Sequence, residues 1–489
     1  MTRTSPALLT DLYQLTMAYG YWQQGMKDHH AIFHLSFRNQ PFQGGYTVAC
    51  GLQDAMEYLR GFNFDQSDLA YLATLRGADG QLLFARGFLD CLRDWEFACD
   101  VDAVPEGNII FPHEPLLRVS GPLIQAQLFE TALLNIINFQ TLIATKAARI
   151  CLAARGAEVL EFGLRRAQGP DGALAASRAA FVGGCSATSN VLAGKVFNIP
   201  VRGTHAHSWV MSFPDEISSF RAFAESMPGN CVFLVDTYDS LLGVRHAIEV
   251  GRWLREQGKE LLAIRLDSGD LAHLSLAIRR RLDEEGFHST KIMASNDLDE
   301  HIIGSLHEQG AVIDAWGVGT KMVTAYDQPA LGGVYKLSAT RAGNQAWQYR
   351  IKLSEQAGKV STPGQLQVRR FRSMDTYSAD LIFDELSSTA PSRTMVDPND
   401  ISIRRKVPDT APFHDLLVPV FRHGRQVYDP PSIQEVQATA HRELGRFHAG
   451  IKRLLNPHLY PVGIETGLHD LKTRLVAERR ASEVIEVDR

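Results

Sequence analysis

The chain has 489 residues, 45% of them hydrophobic and 21% charged, with a formal net charge of −5. That length exceeds one compact core, so two or three domains are expected. A mildly acidic balance with no long basic run argues against nucleic-acid or membrane-surface partners, although a few local Arg and Lys still allow a small phosphorylated substrate.

The opening stretch "MTRTSPALLTDLYQLTMAYGYW" is interrupted by Asp11 and Gln14, so it reads as a helix starting near Thr10 or Asp11 rather than a signal peptide. Residues 31–120 mix alternating runs ("HAIFHLSFRN", "YTVACG") with turns ("PFQGG", "SGP"), the pattern of an α+β domain. "PLIQAQLFETALLNIINFQTLIATKAARI" carries Gln, Glu, Asn and Lys throughout, so it reads as a buried amphipathic helix and not a membrane span. Cys50, Cys91, Cys99, Cys151, Cys185 and Cys231 show no paired or zinc-like spacing, which suits a reducing cytoplasm.

From about residue 157 to 320 short apolar runs alternate with helical stretches. The runs are "AEVLEFG", "IPVRGTH", "CVFLVDT", "LLAIRLDSGD", "KIMASND" and "IDAWGVGT". Consecutive βα units are the reading, and six of them predict an incomplete barrel. After residue 340 "QAWQYRIKLS", "QLQVRRFR" and "ADLIFDEL" read as antiparallel strands and "SIQEVQATAHRELGRFHAGIKRLL" as a terminal helix, while the charged end "ERRASEVIEVDR" is expected to fray. The expected organisation is an α+β domain over residues 1–150, an irregular α/β barrel over 151–340, and a segment over 341–489 that partly packs back on the first domain.

In parallel α/β folds ligands bind beyond the carboxyl ends of the strands. The runs deliver there Glu161, Phe162, Arg165 and Arg166; Thr204, His205 and His207; Asp236, Thr237 and Asp239; Arg265, Asp267, Ser268 and Asp270; Ser295, Asn296 and Asp297; and Gly317, Gly319 and Thr320. Asp270 or Asp297 alone would be read as a helix cap, and "WGVGTK" alone as a tight turn. Together the groups suit an anionic substrate carried with a divalent cation: Arg for phosphate or carboxylate, Asp for hydrated Mg²⁺, backbone N–H for phosphate. The pair His205 and His207 in "VRGTHAHSWV" stays open among three readings. A metal clamp, as in amidohydrolase-type barrels, lacks histidines at later strand ends, because His246, His273, His301 and His307 fall within predicted helices. A structural pair and a nucleophile that accepts a phosphoryl group are the other two.

Seven long motifs then occur in order: "LLTDLYQLTMAYGYW", "LEFGLRRAQGPDG", "FVGGCSATSNVLAGKVFNIPVRGTHAHSWV", "RLDSGDL", "ASNDLDE", "WGVGTKMVTAYDQPALGGVYKL" and "KVSTPGQLQV". With them the chain resembles the nicotinate phosphoribosyltransferase family over about residues 8–370. The resemblance implies the type II phosphoribosyltransferase fold: an incomplete α/β barrel plus an α+β domain built from both ends of the chain. It also implies ATP-coupled transfer of phosphoribosyl from phosphoribosyl pyrophosphate to nicotinate with Mg²⁺, in a cytoplasmic homodimer with shared active sites. His207 would be the phosphohistidine, Thr204 would contact nicotinate, and His205 would support them. Tyr13, from the second subunit, and Phe162 would sandwich the pyridine ring. Arg165 and Arg265 would take the nicotinate carboxylate and the ribose phosphate between them. Gly317, Gly319 and Thr320 would cradle the 5-phosphate, with Asn296 also on the substrate. Asp236, Asp239 and Asp267 would serve the Mg²⁺-pyrophosphate region or the ribose hydroxyls. Nicotinamide phosphoribosyltransferase is the nearest rival; "TDLYQLTMA" and "EFGLRRAQG" favour the nicotinate branch.

Overall fold

The computed structural model describes residues 6–355 and 360–482. The charged tail expected to fray lies outside them from residue 483 onward, as does Lys359 of "KVSTPGQLQV". The chain divides into two units, one of Met1–Thr141, Ala330–Ser432 and Arg442–Arg489, the other of Leu142–Pro329 with Ile433–His441.

The first unit opens with helix α1 (Leu12–Gln23). Asp11 precedes it without capping it, because its carboxylate accepts the Thr131 hydroxyl at 2.8 Å. Strands β1 (His29–Phe37), β2 (Asp100–Ala103) and β3 (Leu117–Pro122) join later segments in a seven-stranded antiparallel sheet. β1 pairs with β3 on one side and with Gly333–Ala342 on the other, while β2 pairs with Val418–Arg422. Both ends of the chain therefore share one sheet. The long apolar stretch is two helices, since Leu123–Leu128 ends at Phe129, whose ring packs edge-on against Phe62 and Phe97. Helix α2 (Glu130–Ala153) follows, and the division between the units falls within it.

Of the late stretches, "QAWQYRIKLS" contributes only Gln348–Tyr349 as strand. Leu366–Ser373 and Thr376–Asp384 form a hairpin in a second, six-stranded sheet. Arg370 and Asp380 stand opposite each other in that hairpin, fully buried and paired at 2.5 Å, and the Tyr460 hydroxyl donates to the same carboxylate at 2.9 Å. The expected terminal helix stops at Gly445 (Ile433–Gly445), and a further helix, Thr466–Ser482, follows it in the chain.

The second unit is a curled parallel sheet. In chain order its strands are β4 (Glu158–Glu161), β5 (Ala187–Thr188), β6 (Val232–Leu234), β7 (Ala263–Leu266), β8 (Lys291–Asn296) and β9 (Ala315–Val318), in spatial order β5-β4-β9-β8-β7-β6. Every pairing is parallel. The connecting helices include α3 (Gly169–Val182), α4 (Val191–Phe197), α5 (His207–Met211), α6 (Glu216–Ser226), α7 (Ser240–Glu256), α8 (Leu271–Glu284), α9 (Glu300–Glu308) and α10 (Thr320–Val323). His246, His273, His301 and His307 do lie in helices, on α7, α8 and α9.

Six strands form as expected, but one is not the expected one. "IPVRGTH" makes only a bridge at Val201, and the strand is instead Ala187–Thr188. Pro200 has no N–H to give a ladder and Gly203 has no side chain to pack. The stretch instead straps one edge strand to the other. On the β5 side Thr188 N–H donates to the Pro200 carbonyl and Arg202 N–H to the Thr188 carbonyl, each at 3.0 Å. On the β6 side the Thr204 hydroxyl donates to the Val232 carbonyl, and Leu234 N–H donates to His205 Nε2 at 3.3 Å. The strap thus spans the gap where a complete barrel would have further strands.

Candidate active site

The turn after β4 is built around Glu161, which is 1% exposed. Its carboxylate accepts from Gly163 N–H, from the Ser177 hydroxyl at 2.8 Å and from the Thr188 hydroxyl at 2.6 Å. Three donors on one carboxylate fix the turn that presents Phe162. The ring packs against the cluster Leu160, Ala187, Met293 and Ala315. It also covers Gly317 of β9, where a Cβ would stand 2.8 Å from two ring carbons. Close packing against Phe162 is a sufficient reason for glycine there. Gly319 is similarly tight, with the Phe162 carbonyl oxygen 3.0 Å from the place of a Cβ.

Arg265 and Asp267, at the end of β7, form the centre of the site. Arg265 donates through Nε to Ser295 Oγ and through Nη2 to Asp267 Oδ1, both at 2.8 Å, and its Cζ lies 5.6 Å from the Phe162 ring centroid. Ser295 also donates to Asp267 Oδ1. Burial pushes the Asp267 carboxyl up, but the Ser295 hydroxyl and the Arg265 guanidinium outweigh it and hold the group below its ordinary range. Asp236 Oδ2 accepts from Asp267 N–H at 2.9 Å and from the Ser268 hydroxyl at 2.6 Å, while its Oδ1 is buried with no partner.

His207 is the first residue of α5. Its Nδ1 stands 3.1 Å from Thr237 Oγ1, and its Nε2 4.0 Å from Asp267 Oδ2. His205 has different surroundings. It is 7% exposed, its ring lies against Phe220, Phe223 and Phe233, and burial lowers its pKa to about 4. The two imidazoles therefore do not face one centre. Among the described residues no three of His, Cys, Asp and Glu are grouped as metal ligands.

The structure thus gathers Phe162, His207, Asp236, Arg265, Asp267 and Gly317, together with Thr237 and Ser295. Other predicted residues stand apart from that network. Thr204 spends its hydroxyl on the Val232 carbonyl. Arg165 is exposed on the 3₁₀ turn Leu164–Arg166. Asp239 and Asp270 cap α7 and α8, accepting from Leu242 N–H at 2.8 Å and His273 N–H at 3.0 Å. Asp297 is not a cap; Asp299 is, and it also holds Lys321 Nζ at 2.7 Å. Asn296 has φ 141, a conformation a non-glycine residue adopts only when its surroundings impose it, and its side chain accepts from Asp297 N–H at 2.7 Å. Thr320 opens the short α10, with Gly319 as its N-cap. Tyr13 lies in the other unit, on α1, 47% exposed. Sequence reasoning missed Glu161 as the residue that fixes the turn; the signal for it was a carboxylate directly after the apolar pair Val159 and Leu160, at the end of β4.

Residues 8–138 match the nicotinate phosphoribosyltransferase (NAPRTase) N-terminal domain, 157–362 the nicotinate phosphoribosyltransferase family, and 366–472 the corresponding C-terminal domain. The chain belongs to the nicotinate phosphoribosyltransferase family. It is 43% identical to nicotinate phosphoribosyltransferase of Bacillus subtilis, covering 97% of both chains, and 35% identical to that of Bos taurus, covering 96% of both. The crystal structure of human nicotinic acid phosphoribosyltransferase superposes with a TM-score of 0.83 at 32% identity, covering 96% of this chain and all of that one. The nicotinate-nucleotide pyrophosphorylase of Pyrococcus furiosus, at 22% identity and a TM-score of 0.68, shares the fold. The expected fold class is thereby established: an incomplete barrel with an α+β domain from both chain ends.

Proposed function

We propose that this family member transfers phosphoribosyl from phosphoribosyl pyrophosphate to nicotinate, coupled to ATP hydrolysis through a phosphohistidine at His207. One observation carries the reading: Asp267 joins Arg265, at 2.8 Å, to His207, at 4.0 Å, beside the Phe162 ring. A fixed cation, a carboxylate and an imidazole beside one aromatic face suit a flat anionic substrate and charged phosphate chemistry.

In this reading Phe162 covers one face of the pyridine ring, and Tyr13 from a second copy of the chain covers the other, which makes the active form a homodimer. Arg265 and Arg165 take the carboxylate and the ribose phosphate between them, Thr204 contacts nicotinate, Gly317, Gly319 and Thr320 cradle the 5-phosphate, and Asn296 is also on the substrate. Cleavage of the ribosyl bond builds oxocarbenium character, and a carboxylate such as Asp267 would stabilise that positive charge. Asp236 fits an Mg²⁺ role because one of its oxygens has no partner, and Asp239 would act only through water, since its Oδ1 caps α7. Bound Mg²⁺ would neutralise the departing pyrophosphate. Thr237 orients His207, and phosphorylation there adds about one to two negative charges beside the substrates, linking ATP use to turnover. Six free cysteines suit a cytoplasmic enzyme, and no helix among the described residues is long and apolar enough to cross a membrane.

The test is a product assay with phosphoribosyl pyrophosphate and either nicotinate or nicotinamide, with and without ATP, and with EDTA. Nicotinate mononucleotide formation that ATP stimulates and EDTA stops is the expected result. A preference for nicotinamide, or undiminished transfer in EDTA, would overturn the reading.

A further inference from the structure

The turn between α3 and β5 brings two cysteines of the second unit together. Cys151 lies in the last turn of α2 and is partly exposed, whereas Cys185 lies in the turn and is 0% exposed. Two glycines allow the approach. A Cβ on Gly183 would stand 2.6 Å from the Ala147 Cβ, and one on Gly184 would stand 3.3 Å from Cys151 Sγ. Gly184 also has φ 117, a conformation that a residue with a side chain rarely adopts. The backbone of the turn is thus pressed against the sulfur of Cys151 one residue before Cys185. The two thiols interact there: the Cys151 thiol first, and burial second, push the Cys185 thiol well up.

Cys185 is held in this position by its main chain. Its N–H donates to the Ala180 carbonyl at 3.1 Å, and its carbonyl accepts from Gln437 Nε2 at 2.8 Å. The thiol itself donates to Met322 Sδ at 3.6 Å. Met322 is on the short α10, two residues beyond Thr320. The Cys185 sulfur therefore touches two others, one on the helix that continues the Gly319–Thr320 turn and one on α2. Cys151 is the member of the pair that an oxidant in solution reaches, because Cys185 is fully enclosed.

We propose that Cys151 and Cys185 form a reversible oxidation site, which closes to a disulfide when a hydroperoxide reaches Cys151. The Cys151 thiolate attacks the peroxide and its O–O bond breaks, leaving a sulfenic acid on Cys151 and releasing an alcohol, or water from hydrogen peroxide. The Cys185 sulfur then attacks the sulfenic sulfur; the S–S bond forms, the S–O bond breaks and water leaves. Two electrons pass from the two thiols to the O–O bond, and both thiol protons end on oxygen. Closure also takes the proton that Cys185 shares with Met322, so α10 loses that contact and the turn before it is less firmly held. The consequence for the 5-phosphate rests on the nicotinate phosphoribosyltransferase reading above, whereas disulfide formation does not.

The full chain, freed of reductant, is treated with hydrogen peroxide and digested without reduction. Mass spectrometry should find the peptides of Cys151 and Cys185 linked, and dithiothreitol should separate them. Cys151→Ser, at a partly exposed position, should remain folded by circular dichroism and give no linked peptide, and Cys185→Ala decides if it does not fold. Absence of the link in the unmodified protein, or Cys151 recovered as sulfinic acid beside a Cys185 thiol, overturns the site. The oxidised chain is then assayed: KM for phosphoribosyl pyrophosphate should rise about threefold, the effect of one weak hydrogen bond. It should return with dithiothreitol and stay unchanged in peroxide-treated Cys151→Ser. A linked chain with an unchanged KM overturns the coupling alone, and a reduced chain that transfers no phosphoribosyl overturns the nicotinate reading while the disulfide stands.

Discussion

His207 Nδ1 stands 3.1 Å from the Thr237 hydroxyl, so one ring nitrogen is held while the other is directed toward Asp267. Replacing the ring by Asn should abolish acid-labile labelling from γ-labelled ATP and nicotinate-dependent ATP hydrolysis. Thr237→Val should retain the label but lower the coupled rate about tenfold, the effect of a lost orienting hydrogen bond on a nucleophile. A fully labelled His207→Asn protein would refute the assignment.

Arg265 makes two directed hydrogen bonds, to Ser295 and Asp267, and lies beside the Phe162 ring. A lysine keeps the charge but loses the fork. Arg265→Lys should therefore lower kcat/KM for phosphoribosyl pyrophosphate by about 100-fold, with little change in melting temperature. A loss under about threefold would remove Arg265 from the transition state.

Gly317→Ala would put a methyl 2.8 Å from the Phe162 ring, forcing the ring to move. The expected result is a rise of about fivefold or more in KM for nicotinate with a stability loss of about 1–3 kcal/mol, the range for overpacking. Unchanged KM in a folded variant would dissociate Phe162 from the pyridine.

Glu161→Ala removes the acceptor of Gly163, Ser177 and Thr188 at once, in a site that is 1% exposed. Denaturant unfolding should show a loss of about 2–5 kcal/mol, and Glu161→Gln a smaller one. Equal stability of Glu161→Ala and the unmodified protein would contradict the role given to this carboxylate.

His205 supplies a pH dependence. Its folded pKa lies near 4, below the ordinary value of 6.5, so the folded state resists protonation. Above pH 6.5 it contributes nothing to the pH dependence. As pH falls from about 6.5 to 4 the unfolded chain binds a proton that the folded one does not, and stability declines by on the order of 1–3 kcal/mol. His205→Gln should flatten that part of the stability curve, and an identical slope in both proteins would show that the ring is not the titrating group.

Much of the site was legible because strand and helix periodicities are local. β4, β6, β7, β8 and β9 each fall within a stretch recognisable by its apolar run, and Arg265, Asp267 and Asp236 were visible as polar residues at the ends of those runs. What those residues do was not legible, because a side chain's partner is set by chain segments far away in sequence. Asp239 and Asp270 cap helices, whereas Asp236 reaches across to Asp267 and Ser268.

By itself the sequence determined the family, the class of fold, the order of the strand-end groups and the candidacy of His207. The tertiary structure alone decided the rest. Residues 199–205 alternate enough to read as a strand, yet Pro200 and Gly203 deny them a full ladder and they become a strap held by two backbone bonds to Thr188 on one side and by the side chains of Thr204 and His205 on the other. That strap turns His205 among phenylalanines and leaves His207 beside Thr237 and Asp267. Two histidines one residue apart acquire different chemistry because burial and partners, unlike spacing, are properties of the folded chain.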